Sequence, residues 1–164
     1  MSLEHGKRNE QKAKEKYLNK YPSRHLHKTG LVVNNEFSFL GASPDGLVCD
    51  GGQSGLIEIK CPYTARNMTV DEACQSIPSF YLKKGLNDNI ALSETHNYYA
   101  QVQGQLMVTD CKFCDFVVFI SKDMFVQRIL PNIDFMDNML KCLSEFYRDY
   151  AAPHIKKVNN VQMN

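Results

Sequence analysis

Residues 41–62, GASPDGLVCDGGQSGLIEIKCP, leave the chain few ways to fold. Glycine and proline punctuate the stretch, so it reads as two short strands, Leu47–Cys49 and Leu56–Cys61, joined by a glycine-rich turn over residues 50–55. Asp45 lies between Pro44 and Gly46, where the chain bends into the first strand. Successive side chains of a strand point to opposite faces. Glu58 and Lys60 therefore share one face of the second strand, and Ile57 and Ile59 share the other. The apolar face reads as core. The polar face sets a carboxylate and an ammonium side by side, next to a turn that holds a second carboxylate.

That pattern suits metal-assisted hydrolysis of a phosphodiester. Two carboxylates supply hard oxygen ligands for Mg²⁺ or Mn²⁺. A bound ion acidifies water and stabilises charge developing on phosphorus. A neighbouring lysine orients or activates the attacking water, or offsets charge in the transition state. Pro44-Asp45, twelve residues, then Glu58-Ile59-Lys60 resembles the PD-(D/E)XK nuclease signature. An acidic–apolar–lysine tripeptide is also common on solvated strand faces, so the tripeptide by itself leaves both readings open.

Three motifs in one order narrow the choice: Ser43-Pro44-Asp45-Gly46-Leu47, Gly55 to Thr64, and Tyr98-Tyr99-Ala100-Gln101-Val102-Gln103. Together they resemble the phage lambda exonuclease family, or YqaJ-type viral recombinases, a branch of the PD-(D/E)XK nucleases. The resemblance runs from about Glu4 to Tyr150. It implies an α/β (α+β) fold with a restriction-endonuclease-like core, a mixed central β-sheet flanked by helices. It also implies a site in which Asp45, Glu58, the backbone carbonyl of Ile59 and, on the first helix, Glu10 hold Mg²⁺ or Mn²⁺, two ions per site. Lys60 would act on the attacking water, with Gln101 and Tyr98 in support.

The activity implied is 5′ to 3′ exonuclease action on linear duplex DNA, in recombination or DNA end processing. A ring-shaped homotrimer and a single-strand annealing partner are implied by the family alone. The resemblance also implies a further N-terminal segment, with an arginine for the 5′ phosphate, which this sequence starts too late to show. Residues 1–3 are accordingly expected to be either an expression scar or the start of a short chain. Two alternatives stay open: an endonuclease of the same fold, and a nucleic-acid-binding module without hydrolysis. Against the second, two carboxylates without an ion repel phosphate.

The rest of the chain is consistent with one domain over residues 1–164. Hydrophobic residues make up 43% and charged residues 23%, ordinary values for a globular protein that builds one core. No apolar run approaches the roughly 20 residues of a membrane span, and no secretory signal opens the chain. Six dispersed cysteines suggest a reducing, intracellular compartment, cytoplasm or nucleus. Net charge is +1, but residues 1–28 hold eight Lys or Arg against three Glu, and the remainder eleven against fifteen acidic residues. The basic segment suits phosphate contact or a solvated helix face equally well.

Spacing predicts a helix over residues 4–20, with Ala13, Tyr17 and Leu18 facing inward and Pro22 as its stop. On it, Glu10 is also placed to pair with Lys14. A hairpin is predicted over residues 31–42, turning at Asn34–Glu36 and joining the antiparallel part of the sheet, and a short helix over 70–75. Phe80 and Tyr81 are expected to cover the core, the alternative being that with Lys83 and Lys84 they stack bases and hold phosphate at a DNA groove, and Arg66 is expected to face a phosphate. A helix over residues 93–108, capped by Ser93, puts Tyr98, Gln101 and Gln105 on one face. Amides there can hydrogen-bond water or substrate without adding charge. Cys111 and Cys114 form a CxxC with no second pair at zinc-ligand spacing. Two apolar strands, 115–121 and 124–130, precede an amphipathic helix over 132–150, and a flexible tail is expected from Pro153.

Overall fold

The computed structural model describes residues 2–161. A five-stranded mixed sheet lies at its centre, in the order β1–β4–β5–β8–β9. Its strands are β1 (His25–His27), β4 (Gly46–Asp50), β5 (Gln53–Lys60), β8 (Cys114–Phe119) and β9 (Met124–Ile129). Two hairpins lie outside it: β2 (Val32–Val33) with β3 (Gly41–Ala42), and β6 (Leu82–Lys84) with β7 (Ile90–Leu92). The helices are α1 (Ser2–Lys20), α2 (Val70–Ser76), α3 (Asn97–Thr109), α4 (Ile133–Phe146) and α5 (Ala152–Val161).

The middle strand organises the sheet. It is antiparallel to β4, turning at Gly51 and Gly52, whose φ angles of +58° and +81° suit a two-residue hairpin. Against β8 it is parallel, Ile57 opposite Asp115 and Ile59 opposite Val117. Parallel neighbours need a long crossover, and α2, β6–β7 and α3 supply it. A central strand between helices is covered on both faces. Ile57 and Ile59 pack with Val48, Phe113 and Val117 against Ala13 and Tyr17 of α1. Leu56 packs with Cys114, Phe116 and Val118 against Tyr99, Val102 and Leu106 of α3. The face that carries Glu58 and Lys60 is therefore a helix interface and not an open surface, and Glu58 is 3% exposed.

The mixed sheet flanked by helices matches the expected fold class, and several elements depart in detail. The β2–β3 hairpin forms its own small sheet and does not extend the central one; Asn34 Oδ1 accepts from the N–H groups of Glu36 (2.9 Å) and Phe37 (2.8 Å) and turns the chain early. In place of β2 and β3, β1 pairs with β4, a strand not expected from two histidines around one leucine. Helix α3 is capped by His96 and not Ser93: His96 Nδ1 accepts from Tyr98 N–H at 3.1 Å. Phe80 and Tyr81 are core residues.

From Pro153, where a tail was expected, the chain is helical to Val161, and the rest of that expected tail, residues 162–164, lies outside the described residues. A π-helical turn, Tyr147–Ala151, carries α4 into α5. Its wider ladder, with Ala152 N–H on the Tyr147 carbonyl, accommodates a residue that has no N–H of its own.

Candidate active site

Gly46 opens β4 in a tight place: a Cβ there would meet Leu26 Cδ1 at 2.9 Å and the His27 carbonyl at 3.1 Å. Asp45 immediately precedes this close passage under β1. The β4–β5 ladder ends at Gly46 opposite Ile57. Beyond it, Ile59 N–H donates to Asp45 Oδ2 at 2.7 Å. The aspartate of the bend thus takes the place of the next ladder partner, and its carboxylate is held beside the end of β5.

Glu58 faces α3. Its Oε1 accepts from Lys60 Nζ at 2.6 Å and from Gln101 Nε2 at 2.8 Å; its Oε2 accepts from Gln105 Nε2 at 2.8 Å. Lys60 Nζ also donates to Gln101 Oε1 at 3.0 Å and lies 4.2 Å from the Tyr98 ring centroid, a cation–π seat. Tyr98 is held in turn by the edges of Tyr81 and His96. The structure thus gathers Asp45, Glu58, Ile59, Lys60, Gln101 and Tyr98 into one cluster. The α3 face read from the sequence is correct, but the reach of Gln105 to Glu58 was not foreseen; its i,i+4 spacing from Gln101 was the signal. Glu10 lies on α1, its carboxylate on Lys14 Nζ at 2.6 Å.

The electrostatics are those of crowded carboxylates. Burial, then the charge of Glu58 and that of Glu10, pushes the Asp45 pKa up to about 6, with the Ile59 N–H and Lys60 opposing. Burial with the charges of Glu10 and Asp45 pushes the Cys61 thiol up to about 11. Glu10 is therefore within electrostatic reach although it points to Lys14. Among the described residues, no three His, Cys, Asp or Glu side chains are grouped to hold an ion. The oxygen donors at hand are the two carboxylates and the backbone of β5.

Two openings flank the cluster. A cleft of about 300 Å³ is lined by Ser43, Gln101, Gly104 and Gln105 with apolar walls that include Leu40 and Val108. A pocket of about 200 Å³ between α1 and β1 has Asp45, Lys14, His27 and Lys28 in its lining. Not all of the basic N-terminal segment is free for phosphate. Arg24 is bound to Asp50 and Asp115. Arg66 stacks on Tyr63 at 4.0 Å and donates to the Tyr63 carbonyl. Cys111 and Cys114 are buried thiols.

No curated protein matches the chain in sequence. Among solved structures, an alkaline exonuclease from Laribacter hongkongensis, LHK-Exo, superposes with a TM-score of 0.72 at 24% identity, over 99% of this chain and 76% of that one. The same enzyme in complex with dAMP gives 0.73 at 24% identity, over 99% and 75%. The chain has the fold of that exonuclease. The model of the YqaJ-like viral recombinase domain matches residues 1–112, which include Asp45, Glu58, Lys60 and the amides of α3. The chain belongs to the YqaJ-like viral recombinase domain family.

Proposed function

We propose that this chain is a divalent-metal-dependent deoxyribonuclease that degrades linear duplex DNA from a 5′ end. The observation that carries the reading is the meeting of Asp45, Glu58 and Lys60 at the end of β5, with Lys60 Nζ 2.6 Å from Glu58. The fold shared with an alkaline exonuclease that has been crystallised with dAMP supports DNA as the substrate.

The residues suit Mg²⁺ or Mn²⁺. An Asp45 pKa raised by burial and then by the neighbouring Glu58 and Glu10 marks a crowded carboxylate site that a cation relieves. Oxygen donors are what hard ions take. Asp45 and Glu58 would hold the ion. Ile59 would add its carbonyl, because the N–H and C=O of one strand residue point to the same edge and its N–H already points to Asp45. Glu10 would join by leaving Lys14. When bound, a divalent ion acidifies water and stabilises charge on phosphorus.

Lys60 is held by Glu58, Gln101 and the Tyr98 ring, so its ammonium is oriented before substrate arrives. It donates to the attacking water or to a phosphate oxygen and offsets the charge that develops there. Gln101 bridges Lys60 and Glu58 through both ends of its amide and keeps the two in register. Tyr98 keeps the ammonium from swinging away. The basic lining of Lys14 and Lys28 beside Asp45 suits the passage of a phosphate backbone.

The test is digestion of a linear duplex labelled at one 5′ end, beside a supercoiled circle, in Mg²⁺, Mn²⁺ or EDTA. Early release of labelled mononucleotide from the linear DNA, with the circle intact and EDTA blocking, is the expected result. Asp45→Ala and Lys60→Ala should each lose at least about hundredfold in rate while remaining folded. Cutting of the circle would make the protein an endonuclease. Full activity in both variants would overturn the site.

A further inference from the structure

Residues 101–105 carry three glutamines, and α3 divides them between two tasks. Gln103 turns away from the site: its Nε2 donates to the Leu130 carbonyl at 3.0 Å and its Oε1 accepts from Asn132 N–H at 2.9 Å. Both ends of that amide are used, and they pin the start of α4. Gln105 lies one turn after Gln101 on the side of Glu58 and is 5% exposed. Its Nε2 donates to Glu58 Oε2, while its Oε1 is buried and has no hydrogen-bond partner among the described residues. A carboxylate only accepts, so the amide must present its nitrogen to Glu58 and strand its own oxygen. A buried acceptor left unpaired disfavours the fold. A side chain there only to fill space would do better without one.

The acceptor positions on Glu58 give the amide its purpose. A carboxylate offers about four, two on each oxygen. Lys60 and Gln101 fill those of Oε1, and Gln105 takes one on Oε2. One position remains, on the oxygen that Gln105 holds. We propose that Gln105 is a positioning residue: it fixes the rotation of the Glu58 carboxylate so that Oε2 alone is presented to a divalent ion. The inference rests on the metal-site reading of Asp45 and Glu58. Hydrogen bonds of this kind behind a metal ligand commonly govern affinity by about 10–100-fold.

The experiment is a calorimetric titration of the DNA-free protein with Mn²⁺, alongside melting in EDTA. Gln105→Met keeps the length of the side chain and removes the donor. Gln105→Asn keeps the amide and withdraws it, and is read if the methionine variant does not fold. Either variant is expected to bind Mn²⁺ about 10–100-fold more weakly than the parent, with the Mn²⁺ midpoint of nuclease activity moving by the same factor. Unchanged Mn²⁺ affinity with a lowered melting temperature would make Gln105 a packing residue and overturn the inference alone. Should the parent protein take up no Mn²⁺, or Asp45→Ala bind it equally well, the metal site itself would fall, and this inference with it.

Discussion

Asp45 is half-buried and lies near Glu58 and Glu10, and its pKa stands at about 6 against an ordinary 3.8. A group whose folded pKa is raised holds its proton more tightly in the folded state. Its contribution to stability is therefore present below the ordinary value and is lost as pH rises through about 6. Without metal, the fold is thus strained at neutral pH at the residue proposed to hold the ion. Asp45→Asn retains an oxygen for the Ile59 N–H and removes the charge. In EDTA near pH 8 it is expected to be more stable than the parent by on the order of 1 kcal/mol, after discounting for partial exposure, and in Mg²⁺ or Mn²⁺ to lose nuclease activity. Urea unfolding near pH 4 and pH 8 checks this, since the gain should be confined to the higher pH. At this scale the sequence was informative where spacing alone decides. The bend at Asp45 and the Glu58–Lys60 alternation were readable because a turn and a period of two are local properties. That Glu58 is buried beneath α3 was not readable, since alternation assigns a side chain to a face without saying what covers that face. The same limit left the bond from Gln105 to Glu58 unseen.

Among elements, one fully buried carboxylate adds a polar tie between α1 and the sheet to their apolar packing. Asp115 on β8 accepts from Tyr17 of α1, from Arg24 and, through both oxygens, from Arg128 on β9. Asp50 on β4 joins both arginines. Burial and the Asp115 carboxylate push the Tyr17 hydroxyl far above its ordinary range, so it remains a donor. Asp115→Ala would leave two guanidinium groups partly buried without their shared partner. A loss of roughly 3–5 kcal/mol is expected, measured by urea unfolding, and the effect on activity should follow the folded fraction. Gly55 in β5 marks a second tight place: an added Cβ would lie 2.2 Å from the Phe113 ring, whose face also carries Arg128. None of this was visible in the sequence, where Asp115 reads as the polar start of an apolar strand. Long-range ion pairs leave no periodic trace. Two further elements left no periodic trace for other reasons: β1 is held by pairing to β4 and not by an apolar pattern, and α5 continues past Pro153 because a π turn absorbs the missing N–H.

For the whole molecule, the proposed ion would join parts of the chain that lie far apart in sequence: Asp45 before β4, Glu58 and Ile59 on β5, and Glu10 on α1. Only the folded chain brings them together, so binding should shift the unfolding equilibrium. An ion at one hundred times its dissociation constant stabilises the folded state by about 2.7 kcal/mol. For a chain of 164 residues, that corresponds to a rise in melting temperature of roughly 5–10 °C. Relief of the repulsion around Asp45 acts in the same direction, and it predicts a pH dependence. Below about pH 6 the proton and the ion compete for Asp45, and the rise should shrink. Thermal melts in EDTA and in millimolar Mn²⁺, at about pH 5 and pH 8, measure both effects. The parent protein is expected to gain most at the higher pH, and Asp45→Asn to gain little at either. An equal gain in Asp45→Asn would mean that Mn²⁺ binds elsewhere, and the carboxylates at the end of β5 would then need another explanation.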